Sequence, residues 1–291
     1  MKQIYKDITI LTVTHNSERV IESFLKNIDK KFNLIVVDNN SLDNTKLILK
    51  KDIRPYKTLF FNQIGLGFGS GANVGLKKIK TKFILLVNPD TIIKDEHLEK
   101  LYYAANKYPN AALLAPLHVN DNGNKHIPSR NFFFNKVKHN NINLENFSGD
   151  CSVEHLSGAI LLINKMNIDK IGYFDEKIFL YYEDDDLCIR SKHAGYENIL
   201  VHDVIVGHLG GGSIGPPNFK NQWEKNFHIN YSRCYIEKKY FGFTKSMLIA
   251  VKIFCTFLIK FLGHIILLQF GKLAKDIASM SGAASFLIKG N

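Results

Sequence analysis

Leu34-Ile35-Val36-Val37-Asp38 is the stretch on which the fold turns. Four aliphatic side chains in a row show no alternation, so neither face of the segment is meant for water. That is the pattern of a strand in a parallel sheet covered on both sides. The run stops on a carboxylate and passes into Asn39-Asn40-Ser41, turn formers placed where parallel sheets bind ligands. Working outward, Ile8–Thr14 reads as a β-branched strand and Glu18 to about Ile28 as a helix. Ser41 and Asp43 are N-cap candidates for a helix through Lys51. Thr58–Phe61 reads as a third strand, Gly71–Lys80 as a helix, and Phe83–Val87 as another fully apolar strand. Strands alternating with helices predict an α/β chain with a mostly parallel central sheet flanked by helices.

The Asn-rich segment Val119 to Glu154 has little periodicity and reads as an excursion from this frame. Regular structure resumes at Leu156–Ile163, Phe179–Gly195 and Ile199–Val206, and Trp223–Tyr240 reads as a helix. The 291 residues are 45% hydrophobic and 22% charged, an ordinary globular balance. Four scattered cysteines (Cys151, Cys188, Cys234, Cys255) form no CxxC pair, which suits a reducing compartment better than a disulfide framework. No basic-then-apolar leader opens the chain, so a cytoplasmic protein is expected.

The net charge of +11 is unevenly placed. From Lys220 onward eleven basic residues face three acidic ones, a net +8. The same segment holds the longest apolar stretch, and no nucleic-acid-binding module is recognisable, so no nucleic acid partner is expected. At helical period Lys245, Lys252, Thr256, Lys260, His264, Gly271 and Lys275 fall on one narrow stripe and leave a broad apolar face. Lys252 and Lys260 interrupt a run that otherwise approaches the ~20 apolar residues needed to cross a bilayer. The expected organisation is a catalytic domain over residues 1–240 and a C-terminal amphipathic helical tail over 241–291. The tail would lie on an anionic membrane surface, peripheral on the inner face of the cell membrane. A helix packed on the catalytic domain, or a homodimer through the C-terminal helices, is the alternative.

Five groups could carry chemistry. Asp38 ends a buried strand and could accept hydrogen bonds from a base or ribose, or simply cap the next helix. Gly65, Gly67, Gly69, Gly71 and Gly75 could admit a phosphate or sugar close to the backbone, or serve as a turn. Asn88-Pro89-Asp90 follows a strand, where Asp90 could bind a hard divalent ion or sit in a β-turn. Glu183-Asp184-Asp185-Asp186 suits the first turn of a helix, yet crowded carboxylates also make a general base. His208 precedes Gly210-Gly211-Gly212-Ser213 and could complete a metal shell.

In this order the motifs resemble those of the family 2 glycosyltransferases with the GT-A fold, and especially their rhamnosyltransferase-like branch. The residues that carry the resemblance run from Val13-Thr14-His15-Asn16-Ser17 through Val36–Ser41, Gly67–Asn73 and Val87–Asp90. They continue through Ser157-Gly158-Ala159, Gly172–Glu176, Tyr182–Arg190 and His208. The resemblance implies inverting transfer of a sugar from a nucleotide-diphosphate donor, dTDP-rhamnose among the candidates, to a glycan or lipid-linked acceptor in cell-surface polysaccharide synthesis. Thr14, Asn16, Asp38 and Asn40, with Gly67, Asn73 and Asn88, would hold the donor. Asp90 and His208 would bind Mg²⁺ or Mn²⁺. Asp184 would be the base with Glu183 beside it, and Asp186 and Arg190 would lie on the acceptor side. Asn88 stands where the family's metal motif often has a carboxylate, and Asp185 where it is often apolar. The alternatives are a sugar-nucleotide nucleotidyltransferase and a catalytically silent, membrane-associated scaffold of the same fold.

Overall fold

The computed structural model describes residues 2–119, 125–126, 148–208 and 219–289. Its chain forms two compact units, Met1–Asp175 with Glu183–Ile214, and Glu176–Tyr182 with Gly215–Asn291.

The first unit opens with α1 (Gln3–Asp7), β1 (Ile8–Thr14), α2 (Ile21–Asn27), β2 (Asn33–Asp38) and α3 (Thr45–Lys51). There follow β3 (Lys57–Phe61), α4 (Phe68–Leu76), β4 (Phe83–Val87), β5 (Thr91–Ile92), α5 (Asp95–Lys107) and β6 (Ala111–Val119). Next come β7 (Lys125–His126), β8 (Cys151–Ser152), β9 (Ile160–Asn164), α6 (Lys165–Ile171), α7 (Glu183–His193) and β10 (Glu197–His208). The strands make one sheet in the order β3-β2-β1-β4-β9-β6-β10-β5, with β7 on β6 and β8 on β10.

The sheet is the expected one flanked by helices, its longest pairings parallel, and it is mixed. β3, β2, β1 and β4 are parallel neighbours, and so are β6 and β10, but β9 runs antiparallel to both β4 and β6. Every residue of β1, β4 and β9 is buried. A strand covered on both faces carries an unbroken apolar run whichever way it points, so β9 gave no sign of its direction. Pro116 of β6 pairs with Val201 where the β10 register slips, the kind of ladder irregularity that tolerates a missing N–H. The Asn-rich segment read as an excursion lies mostly outside the described residues.

Two helix starts differ from expectation for reasons of local bonding. α2 begins at Ile21, because the residues before it tie a loop together. Ser17 N–H donates to Thr45 Oγ1 at 2.8 Å, and Glu18 N–H to Asp43 Oδ2 at 3.1 Å. α3 starts at Thr45, with Asp43 Oδ1 accepting from the Thr45 N–H, while Ser41 serves a different loop. Burial works against the charged form of Asp43. Hydrogen bonds from Thr45 and from the Glu18 and Thr45 N–H groups outweigh it and hold the carboxyl below its ordinary range.

The second unit holds α8 (Phe219–Phe241), α9 (Phe243–Ile266), a short 3₁₀ turn (Phe270–Lys272) and α10 (Leu273–Lys289). Gly242, at φ 87°, turns α8 into α9. Cys234, Ala250, Ile253, Ala283 and Phe286 form the core of this hairpin stack. Burial pushes the Cys234 thiol up to about 12. α10 approaches α8 so closely at Gly282 that a Cβ there would stand 2.4 Å from the Phe227 carbonyl oxygen. Buried Asp276, in the first turn of α10, pairs with His264 near the end of α9 at 2.5 Å. Glu237 and Lys245 stand 3.7 Å apart across the α8–α9 turn. From the segment before α7, Leu180 O accepts from Ser232 Oγ at 2.8 Å and Phe179 stacks on His228.

α9 is the described helix long and apolar enough, by length and composition, to cross a bilayer: mean hydropathy 1.9, with 11% of that window buried. Ser246, Ala250 and Ile253 form its buried stripe. Leu248, Val251, Leu258, Ile259, Leu262 and Ile266 line its far side, all exposed.

Candidate active site

The candidate residues of the first unit gather at one edge of the sheet. β1, β2 and β4 end there, β9 begins there, and β10, parallel to β6, ends there as well.

Thr14 and Asp38 are opposite one another in the β1–β2 register. Thr14 Oγ1 donates to Asp38 Oδ1 at 3.1 Å, and Ser41 N–H donates to Oδ2 at 3.0 Å. The Lys46 ammonium stands 3.7 Å from that second oxygen. Asp38 is wholly buried, so its carboxylate shapes the loop after β2 from within. Asn16 and Asn40 sit in left-handed backbone, at φ 50° and 61°, a conformation that Asn tolerates better than most residues. Asn16 N–H donates to Ser41 Oγ, and its own Oδ1 accepts from Leu42 N–H at 2.8 Å. Asn39 is the hub that sequence reasoning passed over. Its Nδ2 donates to Gly67 O at 2.9 Å and its Oδ1 accepts from Leu66 N–H at 2.9 Å. This fastens the loop ahead of α4, where Gly67 has φ 82°, to the end of β2.

Gly69, Gly71 and Gly75, all within α4, are packing residues. A Cβ at Gly75 would stand 2.3 Å from Leu11 Cδ1, and one at Gly69 would stand 2.9 Å from Phe174 Cβ. They let α4 lie against the sheet, and α4 therefore starts at Phe68 and includes them. Asn73, expected on the donor, is buried and clamps the backbone of Phe174. Its Nδ2 donates to Phe174 O at 2.9 Å and its Oδ1 accepts from Phe174 N–H at 3.0 Å.

Asn88-Pro89-Asp90 is a turn, with Thr91 N–H donating to Asn88 O at 3.1 Å. Asn88 N–H donates to Ala159 O at 2.9 Å, which ties the turn to the start of β9. Asp90 is buried, and the next residue, Thr91, pairs with His208 where β5 meets β10. The backbone thus brings a carboxylate and an imidazole to neighbouring rungs. The His208 side chain and Gly210–Ser213 lie outside the described residues. Among the described residues no group of three or more His, Cys, Asp or Glu could hold a metal ion by itself.

The acidic run forms the first turn of α7, where negative charge is favoured. Glu183, Asp185 and Asp186 are buried, whereas the Asp184 side chain keeps 17% of its surface. Gly158 N–H donates to Asp184 Oδ2 at 2.9 Å, and Asp185 N–H to its Oδ1 at 3.0 Å. A Cβ at Gly158 would stand 3.3 Å from that of Asp184, so a side chain there would press on the carboxylate's mount. Tyr181 and Tyr182, just before the run, take φ 65° and 69°. Two bulky residues held there store about 1–3 kcal/mol each.

Asp186 and Arg190, expected on the acceptor side, pair with each other and brace the turn after α6. Asp186 is wholly buried and accepts from Arg190 Nε at 2.8 Å. The remaining guanidinium nitrogens donate to the carbonyls of Ile171, Gly172 and Tyr173, closing the turn after α6.

Comparison with known proteins bears on the family and the fold. The chain is 28% identical over 225 residues to the rhamnosyltransferase WbbL of Escherichia coli, covering 69% of this chain and 81% of that one. It is 25% identical over 215 residues to a low-salt glycan biosynthesis hexosyltransferase of Haloferax volcanii, covering 69% of this chain and 65% of the relative, just under two thirds of its length. Among solved structures, the Pyrobaculum calidifontis mannosyltransferase in complex with GDP-Man and Mn²⁺ superposes with a TM-score of 0.58 at 12% identity, over 98% of this chain and 88% of that one. Staphylococcus aureus TarS residues 1–349, in complex with UDP, gives 0.55 at 15% identity, over 98% and 92%. These likenesses show the fold, the GT-A arrangement. Residues 9–172, more than half of the chain, match the family model described as Glycosyl transferase family 2, and the chain belongs to that family.

Proposed function

We propose that this chain transfers a sugar, with inversion, from a nucleotide-diphosphate donor to a hydroxyl of a glycan or lipid-linked acceptor in cell-surface glycan synthesis. The observation that carries the reading is the singling out of Asp184. Of four consecutive carboxylates it is the most accessible and the one that is not buried, and two backbone N–H groups hold it at this edge of the sheet. In this reading the acceptor hydroxyl attacks the anomeric carbon while Asp184 takes its proton, and the nucleoside diphosphate departs from the opposite face. The loops after β1 and β2, set by Thr14, Asn16, Asp38, Asn39 and Asn40, cradle the nucleotide. The relatives' names make a rhamnosyl or hexosyl donor the first to test.

Asp90, with His208 on the adjacent rung, fits a hard divalent ion such as Mg²⁺ or Mn²⁺ whose remaining positions are filled by diphosphate oxygens and water. Such an ion, when bound, neutralises charge on the departing diphosphate. Ligand binding at a hundredfold excess over Kd stabilises a fold by about 2.7 kcal/mol. UDP or dTDP with Mn²⁺ should therefore raise the melting temperature, and neither should do so alone. Asp90→Ala should remove most of that metal-dependent shift. Absence of any such shift in the wild type, across nucleotides, would sink the enzyme reading.

The exposed face of α9 supports docking on an anionic bilayer, with the helix lying in the surface plane. Lys252 borders the apolar face, where it can reach lipid phosphates. Each large aliphatic side chain entering lipid contributes about 1.5–3 kcal/mol. Ile259→Glu with Leu262→Glu should abolish sedimentation with phosphatidylserine vesicles while leaving the melting temperature unchanged, because both side chains are exposed. Undiminished sedimentation would exclude this face as the membrane contact.

A further inference from the structure

We propose that His155 is a positioning residue for Asp184, bridging it to the buried carboxylate of Asp185. The inference rests on the reading of Asp184 as the base. His155 is buried in the segment between β8 and β9, with Nε2 4.0 Å from Asp184 Oδ2 and Nδ1 3.4 Å from Asp185 Oδ1. Each ring nitrogen thus faces one of two consecutive carboxylates. Consecutive side chains on a helix diverge by ~100°, so one group reaches both only by lying across the helix's first turn.

The mount of the imidazole is rigid. Val153 N–H donates to Asn198 O at 2.8 Å, and Asn198 Nδ2 donates to both Glu154 O and Cys188 O. Leu156 N–H bonds Cys188 Sγ at 3.4 Å, and three residues beyond His155 comes Gly158, whose N–H holds Asp184 Oδ2. The base is therefore supported by two amides and flanked by a ring fixed to the same strap.

Packing alone does not account for these residues. A buried carboxylate and a buried imidazole both lose hydration, and apolar side chains of similar volume would fill the same space without that loss. What the imidazole adds is a polar group beside Asp184 on its Oδ2 side, at electrostatic rather than hydrogen-bond distance. A reacting group displaced by about 1 Å can lose two orders of magnitude in rate. The charged groups around the base are Glu183, Asp185 and Asp186 on α7, the last with Arg190, and on the facing strap His155.

The test compares His155→Leu, His155→Gln and the double variant His155→Leu with Asp185→Leu, reading melting temperature, kcat and donor KM. The double variant removes the buried polar pair, so it stays folded even where the single leucine variant does not. The expected result is a kcat lowered about 10–100-fold in His155→Leu and in the double variant, with donor KM within about twofold of wild type. His155→Gln, which keeps a donor facing one carboxylate, should retain more turnover than His155→Leu. Wild-type kcat in the folded double variant would mean that the pair only packs, and would overturn the proposal. Full turnover in Asp184→Asn would instead sink the base reading, whatever the His155 variants do.

Discussion

Asp184→Asn is expected to lower kcat by about three orders of magnitude while leaving donor affinity and folding close to wild type. A positioned general base contributes roughly 10²–10⁴-fold, and the amide cannot take a proton from the acceptor hydroxyl. Asn has the same shape and can still accept the Gly158 N–H while the Asp185 N–H loses its acceptor, so at this part-exposed position the structural cost is about 1 kcal/mol. Initial-rate kinetics with a rhamnosyl or hexosyl donor, beside nucleotide-diphosphate binding by thermal shift, separates the two effects. Retention of more than a tenth of wild-type kcat would move the assignment elsewhere in the acidic run, first to Glu183. A nucleotidyltransferase has no acceptor sugar hydroxyl to deprotonate, so a full loss here also argues against that alternative.

Arg190→Met should be the most destabilising of the substitutions considered, by about 3–5 kcal/mol. Removing one partner of a buried ion pair leaves the other charge uncompensated. Here the charge left behind is Asp186, wholly buried, and the carbonyls of Ile171, Gly172 and Tyr173 lose their donors as well. Against a typical total stability of about 5–15 kcal/mol, this is a large share. Arg190→Lys should rescue little, since one ammonium cannot reproduce the fork that serves Asp186 and three carbonyls. Urea unfolding measures it directly. Unchanged stability with a raised acceptor KM would return Arg190 to the acceptor side.

The contrast between these two residues shows what could be read from sequence. The end of β2 at Asp38 was legible because an apolar run stopping on a carboxylate says both where the strand lies and where it ends, and the end of β4 was legible from the turn formers Asn88-Pro89-Asp90 that follow it. The direction of β9 was not, because a strand buried on both faces looks the same either way round. The acidic run was legible as a helix start, but its division into three buried carboxylates and one accessible one depends on neighbours far along the chain. The spacing of Asp186 and Arg190, four apart, is the ordinary signature of a helical ion pair and gave warning of the brace they form. Asn73 carried no such warning, since its partner Phe174 lies 101 residues away. Nor did His155, whose meaning comes entirely from two side chains on α7.

The position of β9 in the middle of the sheet bears on how the chain is made. β1 to β4 can assemble as soon as about ninety residues have left the ribosome, since their pairings are among near neighbours in sequence. The free margin of β4, the unbroken Phe83-Ile84-Leu85-Leu86-Val87, then waits for a partner that begins at Ile160. Until that residue emerges the nascent chain carries a fully apolar, unpaired strand, the kind of edge that recruits other chains. Truncations ending between residues 90 and 155 should therefore accumulate as aggregates. In the cell the interval before β9 arrives is the period in which this protein most needs a chaperone.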